Sequence, residues 1–293
     1  VSTKIKDSQG DRIFNVVNII VLGVVGLCTL FPIYYVVVVS FTDPIEFLRK
    51  NLVLLPEKWS LEAYEYLLNN KSFMRSVGNS ATLALIGTAL SLVVTSAFAY
   101  ALSRKRLLGR RIMLFLILFT ILFNPGIIPN YMVVSELNLL DTIWALILPA
   151  LTSGWFIILM KGFFDSIPDA LEEAAKIDGC NDITTWVRII LPLSLPALAA
   201  FGLFYAVMYW NTYFNALLYL NDYTKWPIQL LLQNIISDSA GGAMMDDNLN
   251  IPPPPSEVLK MASVVVAITP IVIVYPFIQR HFAQGVMIGS VKG

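Results

Sequence analysis

The residues of this 293-residue chain that could do chemistry are few and unevenly placed. No G-x-x-x-x-G-K-[ST] loop, no H-E-x-x-H and no G-x-S-x-G occurs, so neither nucleotide binding by that route nor hydrolysis by those constellations is expected. The single histidine, His281, has no second His and no Cys nearby, so no metal site is expected. Cys28 lies in an apolar run and Cys180 in a polar insert, which argues against a disulfide. What remains is a concentration of carboxylates and a concentration of rings and amides. From Asp165 to Asp182 the chain holds six acidic residues against one basic residue, Lys176. Glu172, Glu173 and Asp178 stand there beside the small Ala174, Ala175 and Gly179, a composition suited to close docking of another surface. Farther on, Tyr205, Tyr209, Trp210, Asn211, Tyr213 and Asn215 mix rings, which stack on sugar C–H faces, with amides, which hydrogen-bond hydroxyls. Together with Asn124 they are the expected lining of a substrate pathway, although an aromatic belt at a membrane interface would account for the last of them without a ligand.

The elements that must position these residues are membrane spans. Hydrophobic residues make up 57% of the chain and charged residues 14%, with a mean hydropathy of +0.70 and a net charge of zero. That composition describes an all-α polytopic membrane protein and offers no polybasic footprint for nucleic acid. Runs long enough to cross a hydrocarbon core of ~30 Å fall at about 13–40, 79–102, 112–135, 142–162, 189–219 and 258–280. The first follows Lys4, Lys6 and Arg12 and is too long for a signal-peptide core, so it reads as a retained span. The segment Arg104-Lys-Arg-Leu-Leu-Gly-Arg-Arg111 has five basic and no acidic residues, which places it in the cytoplasm. Both termini, 1–12 and 281–293, and the insert at 163–188 then lie on the same side, in the cytoplasm, with 41–78 and 220–257 outside.

Outside, Ser60 and Glu62 can start a short helix with Leu61, Tyr64, Leu67 and Leu68 on one face, either a docking surface or a helix resting in the headgroups. The loop with Gly241-Gly242 and Pro252 to Pro255 is expected to be extended in part. Asn124-Pro-Gly126 and Pro129 interrupt the third span, and Pro192 with Pro196 the start of the fifth. No ionisable residue falls near the middle of any proposed span, which disfavours a self-contained ion-coupled transporter; energy for transport must come from a partner.

Within the insert, Ser166 and Asp169 form an S-x-x-D start and Gly179 suits a left-handed stop, so a helix is expected over about 167–178. Ile167, Ala170, Leu171, Ala174 and Ala175 make its apolar face, with Asp169, Glu172, Glu173 and Lys176 opposite. Asn181 or Asp182 can cap a second helix through Ile190. An anionic leaflet repels so acidic a segment, so a protein partner with a basic or polar cleft is expected.

Glu173-Ala-Ala175, Gly179, Ile189, Leu191 and Pro192 match the EAA-x3-G-x9-I-x-L-P signature and resemble the permease subunits of bacterial ATP-binding-cassette importers. The Asn79-Ser80 start of the second span, the Pro-interrupted third span and the ending from Tyr275 to Gly293 resemble the carbohydrate branch, its smaller maltose-type permease, and within it an oligosaccharide subgroup that includes alginate importers. The resemblance implies a coupling helix seated in a cleft of an ATPase subunit. Glu172, Glu173 and Asp178 then belong to the coupling surface, with Glu173 the polar contact, Ala174 and Ala175 the close-packing surface, and Gly179 the turn. Ile189, Leu191 and Pro192 would join that helix rigidly to span five, and Gly285 to Gly293 would reach the ATPase interface. It further implies a second permease, two ATPase subunits that use ATP and Mg2+, an extracytoplasmic solute-binding protein and a sugar or oligosaccharide substrate in the bacterial inner membrane, with no cofactor and no catalysis in this chain. A non-sugar solute on the same scaffold, or a membrane subunit that regulates an ATPase without carrying anything, are the alternatives.

Overall fold

The computed structural model describes residues 9–50, 52–237 and 256–290, and the side chains of 13–50, 52–237 and 257–276. The expectations for Lys4, Lys6 and Arg12, for Gly241-Gly242 and Pro252 to Pro255, for His281 and for the Gly285–Gly293 tail contacts lie outside the described residues and side chains. In chain order the helices are α1 (Gln9–Ser40), α2 (Pro44–Arg49), α3 (Glu62–Asn69), α4 (Lys71–Ser103), α5 (Arg110–Leu122), α6 (Ile127–Glu136), α7 (Trp144–Ile147), α8 (Gly154–Asp165), α9 (Asp169–Ile177), α10 (Asp182–Thr185), α11 (Leu191–Leu193), α12 (Leu195–Trp210), α13 (Phe214–Tyr219), α14 (Ile228–Ser237) and α15 (Ser256–Ser290).

Three of these, α1, α4 and α15, are long and apolar enough to cross a membrane alone. Three bent pairs raise the number to six if each is one span: α5 with α6 at 116°, α7 with α8 at 54°, and the α10–α11 segment with α12 at 86°. Each bend has a local cause. Between α5 and α6, Pro125 has no N–H to give and Gly126 sits at φ 87°, while the Asn124 Oδ1 accepts from the Gly126 N–H at 3.0 Å and closes the turn. Before α8, Ser153 caps the new helix by accepting from the Phe156 N–H. The fifth expected run, 189–219, is not one helix: it bends at Ser194 and breaks again at Thr212 before α13. The apolar side chains of α1 are exposed along its membrane-length window, as a lipid-facing helix requires.

The spine of the bundle is α4, whose most extensive contacts are with α12 and α8. Its buried stripe is Ser80, Leu83, Gly87, Ser91, Thr95, Ala99 and Leu102, mostly small residues at helical spacing that let neighbouring backbones approach. The hydroxyls of that stripe are used. Ser91 Oγ lies 2.9 Å from the Tyr209 hydroxyl, Thr95 Oγ1 lies 2.7 Å from that of Tyr205 and 2.8 Å from Thr152 Oγ1, and the Ile228 N–H donates to Ser80 Oγ at 2.8 Å. The Asn79 side chain donates to the carbonyls of Thr224 and Trp226, tying the N-terminal part of α4 to the loop before α14. On the same side, Asp141 accepts from the Asn221 and Asp222 N–H groups at 2.6 and 2.9 Å. The bonds from α4 pin α12 and α14 to one helix.

The short helix after α1 forms where expected but with another face inward. Ala63, Tyr66 and Leu67 of α3 are buried against α15 and α4, whereas Leu61 and Leu68 are exposed. Packing against the protein, rather than a headgroup layer alone, sets its orientation, because Tyr66 and Leu67 fill the cluster formed with Phe73, Trp210 and Val258.

Of the described glycines Gly87 is the most tightly faced: an added Cβ would lie 2.6 Å from Cε2 of the Tyr209 ring. That ring is buried and tethered through its hydroxyl, so it cannot yield. Gly87→Ala is therefore expected to destabilise the bundle by about 1–3 kcal/mol, as overpacking does. Thermal unfolding in detergent checks this: the midpoint falls for Gly87→Ala and recovers in part when Tyr209→Leu removes the obstructing ring.

Candidate functional site

The acidic insert is a short amphipathic helix with two different faces. Pro168, not Ser166, is the residue at the N-terminal boundary of α9, and no side chain caps it; the Ser166 hydroxyl instead donates to the Phe163 carbonyl at 2.6 Å, closing α8. The expected S-x-x-D box thus gives way to the end of the preceding helix. Asp169 and Glu172 in the first turn and Lys176 in the last complement the helix dipole. The stop is a Schellman motif: Gly179 is left-handed at φ 81°, its N–H donates to the Lys176 carbonyl, and the Cys180 N–H donates to the Ala175 carbonyl at 2.9 Å. Asn181 then caps α10 by accepting from the Thr184 N–H at 2.8 Å. The connection onward through Ile189, Leu191 and Pro192 is irregular, as expected from Pro192 and Pro196. Trp186 to Ile190 form a π-turn, α11 is one short turn, and the chain swings through 86° at Ser194 into α12.

Only Glu172 and Ala175 of α9 are buried, so the inward face is neither of the two expected. The cause lies in the basic segment after α4. The Glu172 carboxylate pairs with the Arg104 guanidinium through Oε2 and with Arg106 and Lys176 through Oε1, at 3.2 and 2.9 Å. Arg106 also pairs with Asp182, and Lys105 with Asp169. Burial alone would raise the Glu172 pKa, but hydrogen bonds from Lys176 and Arg104 and their charges outweigh it and hold the carboxyl below its ordinary value. Part of the acidity of the insert, at Asp169, Glu172 and Asp182, is thereby answered within the chain.

What α9 presents outward is mixed, since Asp169 and Lys176 are exposed along with an apolar patch. Ala170, Leu171, Ala174 and Ile177 are exposed, Ile177 at 86%, with Glu173 and Asp178 exposed beside them. Ile183 of α10 adds a further exposed apolar side chain. Of the remaining signature residues, Gly179 and Pro192 are exposed, and Ile189 and Leu191 are half-buried.

The ring and amide set divides. Tyr205, Tyr209 and Trp210 are buried, with their polar atoms bonded inside the chain: Tyr205 to Thr95, Tyr209 to Ser91, and the Trp210 Nε1–H to the Ala267 carbonyl at 3.0 Å. Their polar atoms are thus held inside the bundle, Tyr205 and Tyr209 by hydroxyls of α4 and Trp210 by a carbonyl of α15. Asn211 and Asn215 are exposed and Tyr213 is half-buried. Asn211 donates to the Val207 carbonyl and accepts from Gln229 Nε2 at 3.3 Å. Asn124 is exposed, on the α5–α6 turn. Among the described residues no cluster of His, Cys, Asp and Glu could hold a metal ion, and both cysteines are free. Arg104, Lys105 and Arg106 were read for topology alone; the signal of their second role was the charge match between the basic segment and the acidic insert.

Residues 87–288 match the family of binding-protein-dependent transport system inner membrane components. The chain is 46% identical over 284 residues, 97% of its length and 99% of the relative's, to the polygalacturonan/rhamnogalacturonan transport system permease protein YtcP of Bacillus subtilis. It is 44% identical to protein LplC of the same organism, over 98% of this chain and 97% of that one. Among solved structures, a chain from a bacterial ABC transporter involved in the import of the acidic polysaccharide alginate superposes with a TM-score of 0.87 at 34% identity, covering 95% of this chain and 100% of that one. The expectation of an all-α carbohydrate-importer permease, itself without enzymatic activity, agrees with these relatives. With the fold, the broken spans and the EAA insert in place, this chain belongs to the inner-membrane permease family of binding-protein-dependent ABC transporters.

Proposed function

We propose that this chain forms half of a translocation pathway for acidic oligosaccharides, uronic-acid oligomers of the galacturonate or alginate type. The observation that carries the reading is near full-length similarity to two importers whose cargo is acidic, one of polygalacturonan/rhamnogalacturonan and one of alginate. The other half is a second permease, and a solute-binding protein delivers the oligomer to the outer face. Two ATPase subunits use ATP and Mg2+ on the cytoplasmic side, where both termini, the basic segment and α9 lie. The exposed apolar patch of α9, Ala170, Leu171, Ala174 and Ile177 with Glu173 at its edge, seats in the ATPase cleft. Asp178 borders it, and Gly179 sets the angle of the segment that continues through Ile189, Leu191 and Pro192 into α12.

On the pathway side, Asn211, Tyr213 and Asn215 at the α12–α13 break, with Asn124 at the α5–α6 break, are the polar groups left to meet sugar hydroxyls. Broken helices at membrane depth are tolerated where they line a water-filled cavity. Within the membrane-length windows of α1, α4 and α15 no cation stands at mid-depth, and Lys161 of α8 is paired with Asp165. The second permease therefore supplies the charges that balance the substrate's carboxylates.

Two outcomes are expected. Glu173→Lys or Ile177→Asp abolishes co-purification of the ATPase subunits with this chain in detergent, while the fold, followed by thermal unfolding, is kept; ATPase retention by both variants would refute the docking surface. In the reconstituted complete complex, oligogalacturonate or oligomannuronate with the binding protein stimulates ATP hydrolysis whereas neutral malto-oligosaccharides do not. Asn211→Ala then raises the half-saturating oligomer concentration about tenfold, the loss of roughly one good hydrogen bond.

A further inference from the structure

Two routes lead from α9 to the spans, and they differ in stiffness. The covalent route runs through the left-handed Gly179, the four-residue α10, the π-turn at Trp186–Ile190, the three-residue α11 and the 86° swing at Ser194. Along it, the buried Trp186 Nε1 and Ser194 Oγ have no hydrogen-bond partner. Asp182 to Leu193 is one continuous helix that carries the π-turn, so the sharp joints of this route are the left-handed Gly179 and the bend at Ser194.

The second route is ionic and short. Glu172 and Arg104 are about equally buried, with side-chain exposures of 10% and 11%. Arg104 is the C-cap of α4, and two contacts fix its guanidinium to the last turn: it lies 4.8 Å over the Tyr100 ring and its Nε–H donates to Ser103 Oγ at 2.9 Å, while its other end meets Glu172 of α9. Helix α4 is an unbroken 33 residues and packs along both α12 and α8. A displacement of α9 is therefore delivered directly to the end of the bundle's spine.

We infer that Glu172 and Arg104 are positioning residues for transport, a strut that passes motion of α9 into α4 in parallel with the covalent path into α12. The inference rests on α9 being the ATPase-docking helix. Glu172 serves this role because it faces into the chain, while its neighbour Glu173 faces out. The exposed pair Lys105–Asp169, on the same two segments, is the natural control, since screening leaves such a pair little force to transmit.

The test compares Glu172→Gln, Arg104→Gln, the exchange Glu172→Arg with Arg104→Glu, and Lys105→Ala in the reconstituted complete complex. Oligogalacturonate uptake per ATP hydrolysed is measured, with co-purified ATPase subunits measured alongside. For the single variants the ATPase subunits are retained and uptake per ATP falls about tenfold, within the usual range of site-to-site coupling. The exchange, made with Arg106→Gln and Lys176→Gln so that position 172 faces no like charge, recovers a substantial part of the ratio, and Lys105→Ala matches the parent. A parent-like ratio in Glu172→Gln overturns the strut. Loss of the ATPase from Glu172→Gln overturns it as well, because the residue would then serve docking. If a single variant fails to fold, the exchange still decides: a folded exchange whose ratio stays low refutes the inference. A parent complex without ATPase subunits would instead refute the functional reading on which the strut rests.

Discussion

In hydrocarbon a polar side chain cannot turn to water, and leaving one buried without a partner costs about 1–3 kcal/mol or more. The fold of this chain follows from how α4 meets that constraint. Its buried stripe alternates hydroxyls with glycine and alanine, so it brings neighbouring helices close and then satisfies what they carry. Tyr205 and Tyr209 can be buried on α12 because Thr95 and Ser91 wait opposite them. Asn79 and Ser80 do the same for the backbone of the loop before α14. A van der Waals stripe of leucines would hold α12 no less firmly against lipid but would not fix its rotation, since apolar contacts are not directional.

Where the constraint is left unmet is informative. Among the described residues, the buried side-chain atoms with no partner are Thr88 Oγ1, Tyr100 OH, Trp186 Nε1 and Ser194 Oγ. Three of these four surround the path from the basic segment through the π-turn to the bend before α12. Two of the four, Thr88 and Tyr100, belong to α4 itself, whose other buried hydroxyls at Ser80, Ser91 and Thr95 are bonded to neighbouring elements.

Much of this architecture is readable from local pattern. The helix at α9, its stop at Gly179 and the cap by Asn181 follow from residues within a few positions of one another, and the break at Asn124-Pro-Gly126 follows from three consecutive residues. What is not readable locally is which polar group meets which. Tyr205 and Tyr209 are equally plausible as sugar platforms or as struts until the hydroxyls of Ser91 and Thr95, more than a hundred residues away, are known to face them. Helix α3 forms from its own sequence, but its inward face was set by α15 and α4. The same holds at α9, where helical periodicity puts Glu172 and Glu173 on one polar face and cannot say that one of them is buried.

That distinction is decided by size and charge at the inward positions. Successive residues on a helix are about 100° apart, so turning α9 by one position would bring Glu173 to Arg104 and press Lys176 into the space that Ala175 fills. A lysine there would be desolvated beside Arg104 and Arg106 with its ammonium facing like charge, whereas Ala175 fits against the same wall without either cost. The opposite turn would send Leu171 to the guanidinium and leave Arg104 buried without its carboxylate, a loss of about 3–5 kcal/mol. The exposed pairs, Lys105 with Asp169 and Arg106 with Asp182, contribute far less to this choice because water screens them. The orientation of the helix is thus specified from within the chain, and the outward surface of Leu171, Glu173, Ala174 and Ile177 is the geometric complement of a single buried ion pair.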